Sequence, residues 1–454
     1  MDRRHFLQGL AAAPVLSAHA RRPEEFAPSA AASNVVVIVA DDMRWDAIGL
    51  LGNRVVHTPN LDALASDGVV GLNHFVTTSI CPVSRASIMT GQYARRHGIW
   101  DFDSALSDDA FAASYHALLR AAGYRVGFVG KWGLGAPLPA TQFDYWAGFA
   151  GQGDYYRPEN GGRHLDAVLA DRATDFLASV GDSPFCLTLC TKGAHAQDGA
   201  PEEFQPDAAY AGLYEGVSMP RPATATDAHF ARLPRFLRES EARRRWEPRY
   251  STEERFQHTI KQYYRLVTGV DAAVGRVVAA LNALGLYDRT AILFTSDNGF
   301  FLGEHGMADK WWGYEESIRT PFVLKLPGGG PRLLSEMILN IDVAPTVLAI
   351  CGQRVPAAMQ GRSALDLLGG RPADWRPTWL YEHLVSMGGI PESEGVRGER
   401  FKYLRFDVAD PANELLFDLD MDPFEESNLA ADPRYRSLLL EMRDELARLR
   451  LAAR

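Results

Sequence analysis

The chain has 454 residues, of which 46% are hydrophobic and 23% charged, with 40 Gly and 26 Pro. This composition excludes a mostly disordered or collagen-like protein. A net charge of −10 excludes a global basic field for nucleic acid, and four cysteines in so long a chain exclude a disulfide scaffold. Among the basic residues only Lys131, Lys192, Lys261, Lys310, Lys325 and Lys402 are lysines.

Asp2-Arg3-Arg4-His5-Phe6-Leu7 is a twin-arginine pattern. A short apolar stretch from Leu10 to Leu16 follows, then Ala18-His19-Ala20 as a small-x-small cleavage site. Residues 1–20 therefore read as a twin-arginine signal peptide, and the protein is expected in the periplasm or outside the cell. A basic end of a cytosolic protein is the competing reading. No later run reaches the roughly 20 apolar residues of a membrane helix, so no membrane span is expected.

Val35 to Val39 is a continuous β-branched run, the mark of a strand buried on both faces of a parallel sheet. Tyr124–Val129, Phe185–Thr191, Ala291–Thr295 and Phe322–Leu326 repeat it. Helical spacing lies between them, in Tyr115, Leu118, Leu119 and Ala122 and in Leu266, Val270, Val274, Val277 and Leu281. The alternation predicts an α/β fold with a large, mostly parallel sheet between helices, over about residues 33–372. A Pro-, Ala- and Arg-rich stretch at about 196–252 breaks the rhythm and reads as an insertion. Arg243-Arg244-Arg245 within it is expected to be a solvated helix face, the competing reading being a grip on an anionic polymer. From 373 to 454 the pattern predicts a small α+β subdomain. Its strands lie around Trp379-Leu380-Tyr381, Phe401–Phe406 and Leu415–Leu419, and its helix carries Tyr435, Leu438, Leu439, Met442 and Leu446 on one face.

The strands that can be placed share one property that packing does not explain: each ends in polar residues at the C-terminal edge, where open α/β sheets bind ligands. These are Asp41-Asp42, Gly130-Lys131, Lys192 with His195, and Ser296-Asp297-Asn298. One such residue alone is as often a cap or turn. Asp41, Asp42, Asp297 and Asn298 together form an all-oxygen cluster whose charges repel unless a hard cation joins them, which favours Ca²⁺ or Mg²⁺ over Zn²⁺. The lysines and Arg85 suit an anionic substrate such as a sulfate or phosphate ester. Ser79 to Gly91 reads as a loop entering a helix near Ser84, which sets Cys81 just before a helix N-terminus, where an anion is stabilised. Cys186, Cys190 and Cys351 are expected to be buried thiols, and His97, His305 and His383 to serve structure before chemistry.

On these residues the sequence resembles the type I sulfatases of the alkaline phosphatase superfamily, over nearly the whole mature chain. The signature Cys-x-Pro-Ser-Arg-x-x-x-x-Thr-Gly, whose cysteine is oxidised to formylglycine, is matched at Cys81, Ser84, Arg85, Thr90 and Gly91. The Asp-Asp pair matches Asp41-Asp42, the Asp-Asn-Gly element Asp297-Asn298-Gly299, and Gly-Lys-Trp Gly130-Lys131-Trp132. Lys192 to His195 is similar to the Lys-x-Pro-His segment, Lys310 matches the second active-site lysine, and Asp418 to Leu429 resembles the usual C-terminal ending. Three positions depart from the pattern: Pro82-Val83 inverts the usual order, Gly133 replaces a histidine that collapses the sulfated intermediate, and Ala194 replaces a proline.

The resemblance implies sulfate monoester hydrolysis on a sulfated carbohydrate or aryl sulfate, with an alkaline phosphatase-like fold and a formylglycine-generating maturation enzyme as partner. Asp41, Asp42, Asp297, Asn298 and residue 81 would hold Ca²⁺, or alternatively Mg²⁺. Arg85 would orient the hydrated aldehyde, Lys131 and Lys310 would neutralise sulfate oxygens, and His195 would protonate the leaving alcohol. Two alternatives use the same pocket: a phosphonate or phosphate ester hydrolase, and a non-catalytic Ca²⁺-dependent binder of sulfated glycans.

Overall fold

The computed structural model describes residues 34–411 and 413–454, so the expected signal peptide lies outside the described residues. Its strands in chain order are β1 (Asn34–Ala40), β2 (Val69–Phe75), β3 (Arg125–Lys131), β4 (Tyr145–Phe149), β5 (Phe185–Cys190) and β6 (Thr290–Ser296), then the short β7 (Phe301–Leu302), β8 (Ala308–Asp309) and β9 (Arg319–Thr320), then β10 (Phe322–Lys325) and β11 (Arg332–Leu339). The main sheet runs β11-β2-β10-β6-β1-β5-β3-β4, with β9 beside β2. β1 pairs in parallel with both β5 and β6, and β3 with β4 and β5, while β10 is antiparallel. The sheet is thus mixed and mostly parallel.

Every residue of β1 is buried, because helices cover both faces. Val36, Ile38 and Ala40 face one layer, built on α1 (Pro59–Ser66), α2 (Leu165–Ser179) and α3 (Glu253–Ala283). Val35, Val37 and Val39 face the other, which holds Tyr115, Leu119, Val343 and Val347. Three strands had no sequence signal. β2 is interrupted by Gly71, Asn73 and His74, β4 is a half-buried edge, and β11 mixes exposed and buried positions.

α3 is long and apolar enough to cross a bilayer by length and composition, and half of its most apolar stretch is buried inside the protein. It also carries the buried Asp271, which accepts from the Leu61 N–H at 2.7 Å. It is a core helix packed on α1 and α2, whose apolar stripe lies inside the first layer.

Four antiparallel strands, β12 (Thr378–His383), β13 (Ser393–Gly398), β14 (Phe401–Phe406) and β15 (Glu414–Asp418), form a second sheet in that order. One face packs Leu380, Val396, Tyr403 and Leu416 on the terminal helix through Leu439, Met442 and Leu446. The other presents Trp379, Tyr381, Leu404 and Phe417 to Ile80, Val83, Trp311 and Trp312. The second sheet therefore buttresses the segments around Cys81 and Lys310. β13, with its Ser-Glu-Gly start, has no alternating pattern and was not foreseen.

The 196–252 stretch carries short helices and then the helix α4 (Glu241–Tyr250). Arg243 to Arg245 on it are not a free basic face. Arg243 lies over the Phe230 and Trp246 rings, Arg244 pairs with Glu241, and Arg245 pairs with Glu241, Asp198 and Asp309. Arg244 stays on the exposed face, as expected, while Arg243 and Arg245 are turned inward.

Candidate active site

The sheet order brings the polar strand ends together. β1 is central, so Asp41-Asp42 has the Lys192–His195 loop of β5 on one side and Asp297-Asn298 of β6 on the other. Backbone bonds extend the ladder past the strands: Asp41 N–H donates to Gly193 O at 3.1 Å, Ala194 N–H to Asp41 O at 2.6 Å, and Asp297 N–H to Ala40 O at 3.1 Å. Asp42 adopts a left-handed φ of 59°, a conformation aspartate tolerates better than most residues, and its N–H donates to Asp297 Oδ1 at 3.2 Å. The Ser296 hydroxyl ties the strand ends, donating to Ala40 O and Asn298 O and accepting from Met43 N–H.

Cys81 is the first residue of the helix Cys81–Thr90, three residues earlier than the expected start near Ser84, with Ile80 as an extended cap. Pro82 occupies the first turn, where its missing N–H costs nothing, and Val83 fills the core beneath. The Pro82-Val83 order is thus accommodated structurally. Gly91 ends the helix in the left-handed conformation at φ 66°.

Around Cys81 the cations and carboxylates interlock. Lys310 Nζ lies 3.0 Å from Cys81 Sγ and also donates to Asp42 Oδ1, while Asp41 Oδ1 is 3.5 Å from the same sulfur. Lys131 donates to Asp41 Oδ2 and to Gln152 Oε1. Arg85 Nε donates to Asp297 Oδ2 at 2.8 Å and its Nη1 to Lys131 O at 2.7 Å. His195 Nε2 stands 3.6 Å from Asp42 Oδ2, and its Nδ1 is held by Ala196 O. All of these side chains except the half-buried Gln152 are buried.

The electrostatics follow from that burial. Burial and the neighbouring carboxylates, outweighing Lys310, push Asp42 up to about 7. Asp41 goes the other way: burial would raise it, yet Lys131, His195, Arg85 and Lys310 hold it well below the ordinary range. Burial pushes the Cys81 thiol up to about 12, against Lys131 and Lys310. At neutral pH an unmodified residue 81 is therefore a protonated thiol, a poor nucleophile. Burial and the nearby lysines hold His195 well below its usual value.

A divalent cation fits the donors. Asp41, Asp42, Cys81 and His195 each offer a ligand atom, and these atoms lie within 4.8 Å of one another. Asp42 Oδ2 and Asn298 Oδ1 are buried and have no hydrogen-bond partner, as ligand oxygens would. Asp297 is differently placed: Arg85 Nε takes one of its oxygens and the Asp42 N–H the other. His195 stands in the tight donor group, which the reading from sequence did not place there.

Residues 33–353 match the Sulfatase family, and residues 303–452 match the C-terminal part of N-sulphoglucosamine sulphohydrolase. The chain belongs to the sulfatase family.

The sulfatase is 28% identical to an N-acetylglucosamine-6-O-sulfatase of Bacteroides thetaiotaomicron, over 88% of this chain and 83% of that one. It is 29% identical to the multifunctional alkaline phosphatase superfamily protein PehA of Trinickia caryophylli, over 89% and 93%. Among solved structures, one of a protein bound to its substrate D-glucosamine-2-N,6-O-disulfate superposes with a TM-score of 0.80 at 25% identity, covering 93% and 98%. A phosphonate monoester hydrolase from Silicibacter pomeroyi superposes with 0.79 at 26% identity, covering 93% and 96%. The fold is alkaline phosphatase-like, and the chain is a sulfuric ester hydrolase of that family.

His97, His305 and His383 lie outside the ligand group. His97 bonds Ser87 Oγ and accepts from the Ile99 N–H, and His305 and His383 are buried. Cys186, Cys190 and Cys351 are buried thiols. Several supporting residues had no readable motif. Gln152 holds Lys131 through its side chain and Lys192 through its carbonyl, Asp166 accepts from the Lys192 and Gly193 N–H groups, Tyr155 donates to His195 O, and Tyr263 to Asp42 O. They act on backbone and lysine stems, from loops and helices far away in sequence.

Gly133 has a physical reason. Its φ is +82°, and a Cβ there would stand 2.6 Å from Arg85 Cδ. Arg85 fills the space a side chain would need, so restoring histidine does not restore a base. Gly133→Ala and Gly133→His are each expected to slow turnover about tenfold or more, the scale on which an ångström of misplacement acts. Steady-state kinetics of the folded variants checks this, and a Gly133→His rate at or above wild type would show that Arg85 yields.

Proposed function

We propose that the protein hydrolyses the sulfate monoester of a sulfated carbohydrate or aryl sulfate, using formylglycine at position 81 and a bound Ca²⁺, with Mg²⁺ as the alternative ion. The observation that carries this reading is the seat around residue 81, where Lys310 lies 3.0 Å and Asp41 3.5 Å from Sγ at a helix start. Asp41, Asp42, Asn298 and residue 81 would hold the ion, with Asp297 completing the oxygen set beside Arg85. Bound there, the ion supplies charge that favours ionisation of a coordinated hydroxyl. A hydrated formylglycine offers two hydroxyls on one carbon, one to attack sulfur and one to drive release of sulfate.

The chain's own residues do the rest. Lys131 and Lys310 face the transferring oxygens with preorganised positive charge. Arg85, fixed by Asp297 and Lys131 O, orients residue 81. His195 keeps Nδ1 on Ala196 O, which leaves Nε2 to carry the proton toward the leaving alcohol. The lysines that depress His195 are the ones an anionic ester offsets, so substrate arrival raises its proton affinity. The resemblance to the glucosamine-sulfate enzymes supports a sulfated sugar as substrate. The Arg3-Arg4 stretch supports twin-arginine export to the periplasm or beyond.

Activity is expected to be lost on exhaustive chelation and restored best by Ca²⁺, since the donors are mainly hard oxygens. Rescue by Zn²⁺ alone would reject the oxygen cage. A second reading, phosphonate ester hydrolysis, is favoured by the likeness to a phosphonate monoester hydrolase. A release assay over sulfated sugars, aryl sulfates and phosphonate monoesters decides between them. Turnover of phosphonates without sulfate esters would reject the sulfatase reaction.

A further inference from the structure

Lys310 sits in a strained frame. The residues on both sides of it, Asp309 at φ 65° and Trp311 at φ 79°, adopt the left-handed conformation. For a bulky residue such as tryptophan this is a rare backbone state, which persists only where surrounding contacts impose it. Tyr381 of the second sheet donates to Trp311 O at 2.6 Å, and α4 contacts Asp309 and the Trp311 ring. Arg249 Nη1 donates to Asp309 Oδ1 at 2.5 Å and Arg245 Nη1 to Asp309 Oδ2 at 2.7 Å, while the Arg245 guanidinium lies 5.1 Å from the centre of the Trp311 ring. Both arginines also reach Asp198, three residues beyond His195, at 2.9 and 3.4 Å. Glu203 and Glu241 anchor them from behind, through Arg249 Nε and Arg245 Nε. Arg249 and Asp309 are both 3% exposed at their side chains, so this pair is not a solvent-screened surface contact.

We propose that Arg245 and Arg249 form a positioning clamp, through which the inserted helix fixes Lys310 against residue 81 and ties the Lys310 segment to the His195 segment. The clamp touches none of the reacting atoms. It imposes the backbone that aims the Lys310 ammonium, and the inference rests on Lys310 serving as part of the anion seat. Arg249 is the inner member, while Arg245, with 27% of its side chain exposed, is the outer one.

A double-mutant cycle tests it, run on whichever ester of the sulfate and phosphonate panel the wild-type enzyme turns over fastest. Arg249→Ala is expected to lower kcat about tenfold or more with KM changed less than about threefold, and Arg249→Lys to recover part of the loss. In a Lys310→Ala background, Arg249→Ala should then have almost no further effect, because residues acting as one unit are not additive. A purely structural role would instead lower the melting temperature and slow both backgrounds by the same factor, and that result overturns the clamp. Should Arg249→Ala fail to fold, Arg245→Ala at the outer, partly exposed member serves in the same cycle with the same expectation. A crystal structure of the folded variant gives a reading independent of turnover. Lys310 Nζ displaced from residue 81 supports the clamp, and an unmoved Lys310 rejects it. Absence of sulfate ester turnover in the wild type would reject the sulfatase reaction alone, since the cycle and the structure judge the clamp separately.

Discussion

Replacing Cys81 by alanine is expected to abolish turnover while leaving the fold intact. The side chain is 1% exposed and carries no hydrogen bond on which the helix depends, since the first turn is closed by Ser84 N–H on Ile80 O at 2.9 Å. A thiolate attacking sulfur would form an S-sulfonate with no simple exit, and burial already holds the thiol near 12. A hydrated aldehyde has a second hydroxyl to expel sulfate and regenerate itself. Cys81→Ser should therefore accept at most one sulfuryl group slowly and fail to release it. Peptide mass spectrometry of protein from its native host should show residue 81 as the aldehyde. An intact thiol in an enzyme that cleaves sulfate esters at normal rates would reject this nucleophile, and a thiol with no turnover would move the chain to the non-catalytic binding role.

Lys310→Ala and Lys131→Ala are each expected to slow sulfate ester hydrolysis by more than about tenfold, the usual scale for one preorganised charge aimed at a developing anion. Lys310 should be the more damaging loss, because its ammonium reaches both Asp42 and residue 81, whereas Lys131 reaches Asp41 and Gln152. Each removal also leaves a buried carboxylate with one cation fewer, so melting curves must accompany the kinetics. Near-wild-type rates in both variants would assign the anion seat to other groups, with Lys192 and Arg85 the nearest candidates.

The sequence made the layered α/β architecture and the rim of polar strand ends readable, because a buried parallel strand leaves a continuous apolar run and its ligand end must break it. Asp41-Asp42, Lys131 and Asp297-Asn298 were legible for that reason. The start of the Cys81 helix was not, since a turn led by Ile-Cys-Pro carries no side-chain cap to mark it. The supporting contacts were unreadable for another reason. Tyr263 reaches Asp42, and Arg249 reaches Asp309, across 221 and 60 positions respectively, and one side chain on one carbonyl or carboxylate leaves no periodic trace. The arginine triplet was partly legible: Arg244 lies on an exposed helix face as expected, while Arg245 also reaches Asp198 and Asp309 on other loops.

The burial of Cys81 at the very first position of its helix also sets an order of events. An enzyme that oxidises this cysteine must draw its side chain and neighbouring backbone into a pocket of its own, and a residue 1% exposed under a helical turn presents neither. On the proposed conversion, modification must then precede closure of the fold. A chain that closes first would keep its thiol. On the proposed twin-arginine export, which carries chains already folded, the oxidation would belong to the nascent chain in the cytoplasm, and the active fraction of the enzyme would reflect a race between a modifying encounter and the docking of one helix.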